Sequence, residues 1–157
     1  MTGGTIAHDL ITFNLRKALD ARLAGKPCRP LGPNVKVIVD GRVRYPDGFI
    51  VCGGVNQRAT VAEDPVVVIE VLSEGNPGKD LFDKNREYRA TPSIQRYVIL
   101  EQNSAAAMAF FRRGEDWLTE IVRGDNAVIR LPETDIEVPL AEVYANIEFD
   151  QADEPPA

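Results

Sequence analysis

One carboxylate, Glu70, lies inside an otherwise apolar stretch of the sequence. Residues 66–72 are too few for an ordinary helix and are rich in β-branched side chains, which predicts a strand buried on both faces. A charged side chain in such a strand is destabilising unless it is paired or binds a cation. Glu70 is therefore predicted to be half of a buried ion pair or a ligand of a metal ion.

The residues after this strand bring further polar groups toward the same point. Turn-forming residues at 73–78 end the strand. Asp80, Lys84 and Tyr88 then recur at four-residue spacing, which puts them on one face of a predicted helix. A helix that packs back on its own sheet would direct this face toward the strand that carries Glu70.

A second carboxylate, Asp47, follows Pro46 where an earlier predicted strand is interrupted. Carboxylates from two neighbouring strands suit Mg²⁺, with Mn²⁺ as a substitute, and the backbone carbonyl of Val71 would be a natural additional ligand. Such an ion activates water and neutralises charge that develops on a phosphodiester. Lys84 could orient or deprotonate that water, or stabilise the developing charge.

The elements that must position these groups follow from apolar spacing and turn signals. The sequence predicts helix, three antiparallel strands, helix and strand, followed by a β-rich extension, in a single mixed α/β domain over residues 1–149 with a disordered tail at 150–157. The first helix spans 7–23, and the crossover helix leads to a parallel strand. The predicted strands are 35–39, 43–45 resuming at 49–52, 66–72, 96–100, 105–111, 117–122, 127–131 and 136–138, with a helical turn at 140–146.

Short motifs in a fixed order carry a resemblance to a known family. They are Tyr45-Pro46-Asp47, then Glu70-Val71-Leu72-Ser73, then Asp80, Lys84 and Tyr88, and then the strand at 95–100. In this order they resemble the Uma-two family of putative restriction endonucleases, within the PD-(D/E)XK, restriction-endonuclease-like superfamily. His8 in the first predicted helix is also similar to the opening helix of that family.

The resemblance implies a restriction-endonuclease-like mixed sheet and a Mg²⁺-dependent DNA endonuclease, a hydrolase of phosphodiester bonds. It implies that Asp47 and Glu70 are metal ligands and that Lys84 is the catalytic lysine. The supporting residues would be Asp80, Tyr88 and His8. The sequence departs from the superfamily pattern at Leu72, where the lysine usually stands on the strand itself, but the Uma-two pattern carries its lysine on the following helix.

Three alternatives remain open from the residues alone. Glu70 and Lys84 could form a purely structural ion pair, which is not by itself evidence of function. The same fold could serve as a non-catalytic binding or assembly module, or as an RNA or small-molecule phosphodiesterase, because a fold does not determine an activity.

The charge distribution bears on a DNA partner. The net charge of −6 argues against a sequence-independent polyanion binder. Residues 1–45, however, carry eight Lys and Arg against three Asp, while residues from 101 onward carry four Arg against thirteen acids. If DNA is the partner, the basic residues of the first helix are expected to contact its backbone: Arg16, Lys17 and Arg22.

The sequence also predicts a cytoplasmic chain with no membrane association. No apolar run is long enough to span a bilayer, and residues 1–10 lack the order of a signal peptide. Cys28 and Cys52 have no C-x-x-C spacing and are predicted to be reduced packing residues. The oligomeric state stays open, with a homodimer among the alternatives.

Overall fold

A computed structural model describes residues 3–73 and 77–150. The predicted tail after residue 150 and the middle of the predicted turn at 73–78 lie outside the described residues. The elements in chain order are α1 (Ile6–Leu23), β1 (Cys28–Leu31), β2 (Val37–Val39), β3 (Arg42–Arg44), β4 (Gly48–Cys52), β5 (Pro65–Val71), α2 (Pro77–Arg89), β6 (Arg96–Leu100), β7 (Ala106–Arg113), β8 (Asp116–Arg123), β9 (Val128–Leu131), β10 (Ile136–Pro139) and α3 (Leu140–Val143).

A six-stranded mixed sheet in the order β1-β4-β5-β6-β7-β8 forms the centre of the structure. Its strands pair antiparallel except for β5 and β6, which are parallel and are joined through α2. The predicted mixed α/β fold and the parallel neighbour after the crossover helix are therefore confirmed. None of the helices in the described ranges combines the length and apolarity needed to cross a membrane.

The two faces of the sheet carry separate apolar cores because side chains alternate along each strand. Ile69 and Val71 of β5 pack on the face covered by α1, α3 and the β9–β10 hairpin. Val68 packs on the other face, beside Tyr88 of α2. The strand that bears Glu70 is thus covered on both sides, as its apolar sequence predicts.

The strands that form the antiparallel part of the sheet differ from those predicted. The 35–39 and 43–45 segments do form a hairpin, but β2 and β3 make a two-stranded sheet of their own. The third antiparallel strand is β1, which pairs with β4 at the sheet edge. β1 lacks strand signals because it contains Arg29 and Pro30, and proline is accommodated at an edge strand.

The prediction of two reduced cysteines is wrong. Cys28 and Cys52 lie directly opposite each other in the β1–β4 register, and a disulfide joins them. Their separation of 24 residues gives no sign of this pairing, which becomes visible only when β1 is recognised as a strand.

Candidate active site

Strand register places Asp47 opposite Glu70. Gly48 at the start of β4 pairs with Ile69 of β5 in an antiparallel ladder. Extending this register by one residue puts Asp47 opposite Glu70. The Asp47 Oδ2 atom accepts a hydrogen bond of 2.8 Å from the backbone N–H of Val71. This contact ties the interrupted end of the β4 segment to the C-terminal end of β5.

Glu70 is directed to the α2 face of the sheet and is only 7% exposed. Its Oε1 accepts a 2.6 Å hydrogen bond from the Tyr88 hydroxyl, and its Oε2 accepts one of 2.6 Å from Lys84 Nζ. The four-residue spacing of Lys84 and Tyr88 therefore delivers both donors to the same carboxylate. The structure brings these three residues together.

Leu72 occupies the strand position where the superfamily pattern has a lysine. It is two residues after Glu70 and packs with the core on the α2 face, where an apolar side chain is suited. The lysine that contacts Glu70 comes instead from α2, as Lys84.

A chain of charged groups continues from Lys84 to the β2–β3 hairpin. Asp80 Oδ2 lies 3.1 Å from Lys84 Nζ, and Asp80 Oδ1 lies 3.5 Å from an Arg44 guanidinium nitrogen. Arg44 also donates two hydrogen bonds, of 2.7 and 2.9 Å, to the buried carboxylate of Glu87. This pair was not predicted from the sequence, although Glu87 lies two helical turns after Asp80 and so shares its side of α2.

The N-terminus of α1 is fixed over the end of β5. Thr5 caps the helix by accepting from the backbone N–H of His8 at 3.1 Å, and its hydroxyl donates to Gln102 Oε1 at 2.7 Å. Gln102 Nε2 donates in turn to the backbone carbonyl of Leu72 at 2.8 Å. Thr5 and Gln102 were not predicted as site residues, since their contact spans 97 positions of the chain.

This anchoring brings the chain's single histidine to the site. His8 Nε2 lies 3.2 Å from the Val71 carbonyl oxygen and 3.4 Å from Asp47 Oδ2. The imidazole therefore contacts both a predicted ligand side chain and the predicted carbonyl ligand.

The local environment shifts the pKa values of these groups. Burial raises the pKa of Glu70, while the Lys84 ammonium and the Tyr88 hydroxyl favour the carboxylate and limit the rise. Burial opposes the charge on Lys84, but the neighbouring Glu70 and Asp80 outweigh it and raise the pKa of Lys84. The hydrogen bond to Asp47 raises the pKa of His8 against an opposing effect of burial.

These groups face an open cleft of about 800 Å³. Glu70, Asp47 and Lys84 line it from the sheet and α2, and His8 lines it from α1. Tyr45, half-exposed, forms part of the wall beside Asp47. A substrate in solution can therefore reach the two acids and the lysine through the cleft.

The donor set fits a hard divalent cation. Within residues 3–73 and 77–150, no three His, Cys, Asp or Glu side chains come together as a ready-made metal cluster. Asp47, Glu70 and the Val71 carbonyl nevertheless offer oxygen ligands from adjacent strand ends at one cleft. Binding through Glu70 requires its carboxylate to exchange the Lys84 contact for the ion.

The predicted DNA-contacting cations lie outside this cleft. Arg22 donates two hydrogen bonds, of 2.7 and 2.6 Å, to the exposed carboxylate of Glu142. Lys17 Nζ lies 5.7 Å from the centre of the Phe13 ring. The DNA-contacting role of the first helix stays a prediction.

Comparison with known proteins agrees with this fold. A putative nuclease of the DUF820 group from Anabaena variabilis ATCC 29413, solved as a crystal structure, superposes with a TM-score of 0.72. The match covers 92% of this chain and 83% of that one at 12% sequence identity, which establishes a shared fold.

Two proteins of Synechocystis sp. (strain ATCC 27184 / PCC 6803 / Kazusa) are similar in sequence. The uncharacterized protein sll1609 is 24% identical over 138 residues, covering 82% of this chain and 76% of its own length. The uncharacterized protein slr1290 is 26% identical over 122 residues, covering 75% of this chain and 64% of its own. The family described as "Uma2: Putative restriction endonuclease" matches residues 1–141. Since this match spans most of the sequence, the chain belongs to the Uma2 family.

Proposed function

We propose that this chain is a divalent-metal-dependent DNA endonuclease that uses Mg²⁺ or Mn²⁺. Membership of a family described as "Putative restriction endonuclease" supports nuclease activity at a general level. The observation that carries the specific proposal is the meeting of Asp47 and Glu70 at adjacent strand ends, with Lys84 against Glu70, in an open cleft.

Asp47, Glu70 and the Val71 carbonyl would hold the ion. When bound, the ion would activate water and neutralise charge on a scissile phosphodiester. The backbone N–H of Val71 holds the Asp47 carboxylate in place, and Tyr88 does the same for Glu70. Asp47 is therefore oriented in advance of substrate binding, which reduces the rearrangement that the reaction requires, whereas Glu70 would still exchange its Lys84 contact for the ion.

Lys84 has the properties of a charge-stabilising donor. In the metal-free chain, the neighbouring Glu70 and Asp80 carboxylates raise the pKa of Lys84, which favours the ammonium, a hydrogen-bond donor, over the free amine that a base would need. Its contact with Asp80 holds the ammonium at the cleft wall independently of Glu70. We assign Lys84 the role of donating to a phosphate oxygen as negative charge develops there.

One observation favours a non-catalytic binding or assembly module as the second candidate. Both oxygens of Glu70 are already satisfied by Lys84 and Tyr88, as in a structural ion pair. In that case the cleft would bind a partner without metal and without hydrolysis.

A cleavage assay separates these functions. The full chain is incubated, with Mg²⁺, Mn²⁺ or a chelator, with each of four substrates: supercoiled plasmid, single-stranded DNA, RNA and a small-molecule phosphodiester. The proposal predicts metal-dependent nicking of DNA. Hydrolysis of RNA or the small ester alone would indicate another phosphodiesterase. The absence of hydrolysis on all four substrates would favour the binding module.

A further inference from the structure

His8 directs its Nε2 atom at two oxygens that the proposed function assigns to the metal ion. The distances are 3.2 Å to the Val71 carbonyl and 3.4 Å to Asp47 Oδ2. We propose that the His8 imidazole is a nitrogen ligand of this site, which therefore selects Mn²⁺ or Co²⁺ over Mg²⁺. The inference rests on the proposed metal dependence and adds the class of ion that the site prefers.

His8 is held in a defined position rather than on a mobile surface. Its backbone N–H donates to the capping Thr5, and its carbonyl accepts a 2.9 Å hydrogen bond from the Thr12 hydroxyl. Its side chain is 20% exposed. A methyl group on Gly4 would approach the imidazole ring to 3.3 Å, so glycine there leaves the room that the ring uses. A ligand that is oriented in this way loses little freedom when it binds an ion.

The surroundings favour His8 as a side-chain partner of Asp47 in binding the ion. Glu70 is engaged by Lys84 and Tyr88, so its recruitment requires a contact to break. His8, by contrast, already lies against Asp47 and the Val71 carbonyl. Because both oxygens can only accept, His8 Nε2 carries a proton in the metal-free chain, and a bound ion would take the place of that proton, which passes to solvent. One imidazole nitrogen, one carboxylate and one carbonyl thus form a donor set that needs no prior release of Glu70.

The chemical class of the donor sets the expected selectivity. Mg²⁺ binds oxygen ligands and water, and gains little from an imidazole. Affinity for nitrogen-containing sites rises through the transition metals, with Co²⁺ above Mn²⁺. Removal of His8 should therefore weaken Mn²⁺ and Co²⁺ binding by about tenfold or more, with little effect on Mg²⁺ binding.

The experiment uses the metal ions alone on the chelator-treated full chain. Pulsed electron paramagnetic resonance of bound Mn²⁺ detects a directly ligated nitrogen, and incorporation of ¹⁵N-histidine changes that coupling. His8 is the only histidine, so the signal has a single source. Calorimetric titrations with Mn²⁺, Co²⁺ and Mg²⁺ compare the chain with His8→Gln and Asp47→Asn. The isotope measurement needs no variant and stands even if His8→Gln fails to fold.

The outcomes separate this inference from the proposed function. A histidine nitrogen coupling, together with a selective loss of Mn²⁺ and Co²⁺ affinity in His8→Gln, supports the inference. Mn²⁺ binding that Asp47→Asn weakens but that shows no histidine coupling overturns the role of His8 and leaves the metal site intact. No binding of any of the three ions by the unaltered chain overturns both.

Discussion

The hydroxyl of Tyr88 should stabilise the folded chain through its bond to Glu70. Tyr88 is fully buried, Glu70 is 7% exposed, and the O–O distance is 2.6 Å. Tyr88→Phe removes the donor and leaves one oxygen of a buried carboxylate unsatisfied. A hydrogen bond to a charged group contributes about 1.5–3 kcal/mol, and solvent screening reduces this little because both groups are buried. The free energy of unfolding should fall by that amount.

The assay is urea denaturation in chelator, read by tryptophan fluorescence and circular dichroism. Tyr97→Phe is a matched control because the two rings are adjacent, with centroids 4.7 Å apart, in the same core. In the part of the chain that the structure describes, the buried Tyr97 hydroxyl has no hydrogen-bond partner. Its loss should therefore change stability by less than about 0.5 kcal/mol or increase it. Equal losses in the two variants would refute the proposed effect of the Glu70 contact.

Further perturbations test other contacts of the site and fold. Lys84→Met leaves the buried Glu70 carboxylate without its cation and should lower the free energy of unfolding by about 3–5 kcal/mol. In a double-mutant cycle, adding Glu70→Gln to Lys84→Met should recover most of that stability. His8 has a raised pKa in the folded chain, so its interaction with Asp47 should stabilise the metal-free protein fully below about pH 6.5. That stabilisation should be lost as the pH rises through the folded-state pKa. A difference in unfolding free energy between the unaltered chain and His8→Gln that stays constant from acid to alkaline pH would contradict this. Reduction by dithiothreitol should lower the stability of the unaltered chain by about 2–4 kcal/mol, and it should leave a Cys28→Ser/Cys52→Ser double variant unchanged.

The central strand and the helix face could be predicted because both signals are local. A short β-branched run around Glu70 has few alternatives to a buried strand, and four-residue spacing fixes the relative direction of Lys84 and Tyr88 on α2. The structure places these groups together. The roles that the family resemblance implies for them are functional hypotheses that only metal binding and cleavage can test.

The contacts that could not be predicted are those between distant segments. β1 carries too few strand signals for its register to be read, so the pairing of Cys28 with Cys52 stayed hidden. The contact of His8 with Asp47 depends on how α1 is anchored over β5, through Thr5 and Gln102. Nothing in the spacing of these residues along the chain encodes that arrangement.

The central claim is that Asp47 holds a divalent cation that DNA cleavage requires. The most direct measurement is the rate of plasmid nicking against Mn²⁺ concentration for the unaltered chain, Asp47→Asn and Asp9→Asn. Asn at position 47 retains an oxygen that can accept from Val71 but removes the charge, while Asp9 lines the same cleft from α1. We predict saturable, chelator-sensitive nicking by the unaltered chain and Asp9→Asn, and none above background by Asp47→Asn. Equal nicking by Asp47→Asn and the unaltered chain would contradict the account.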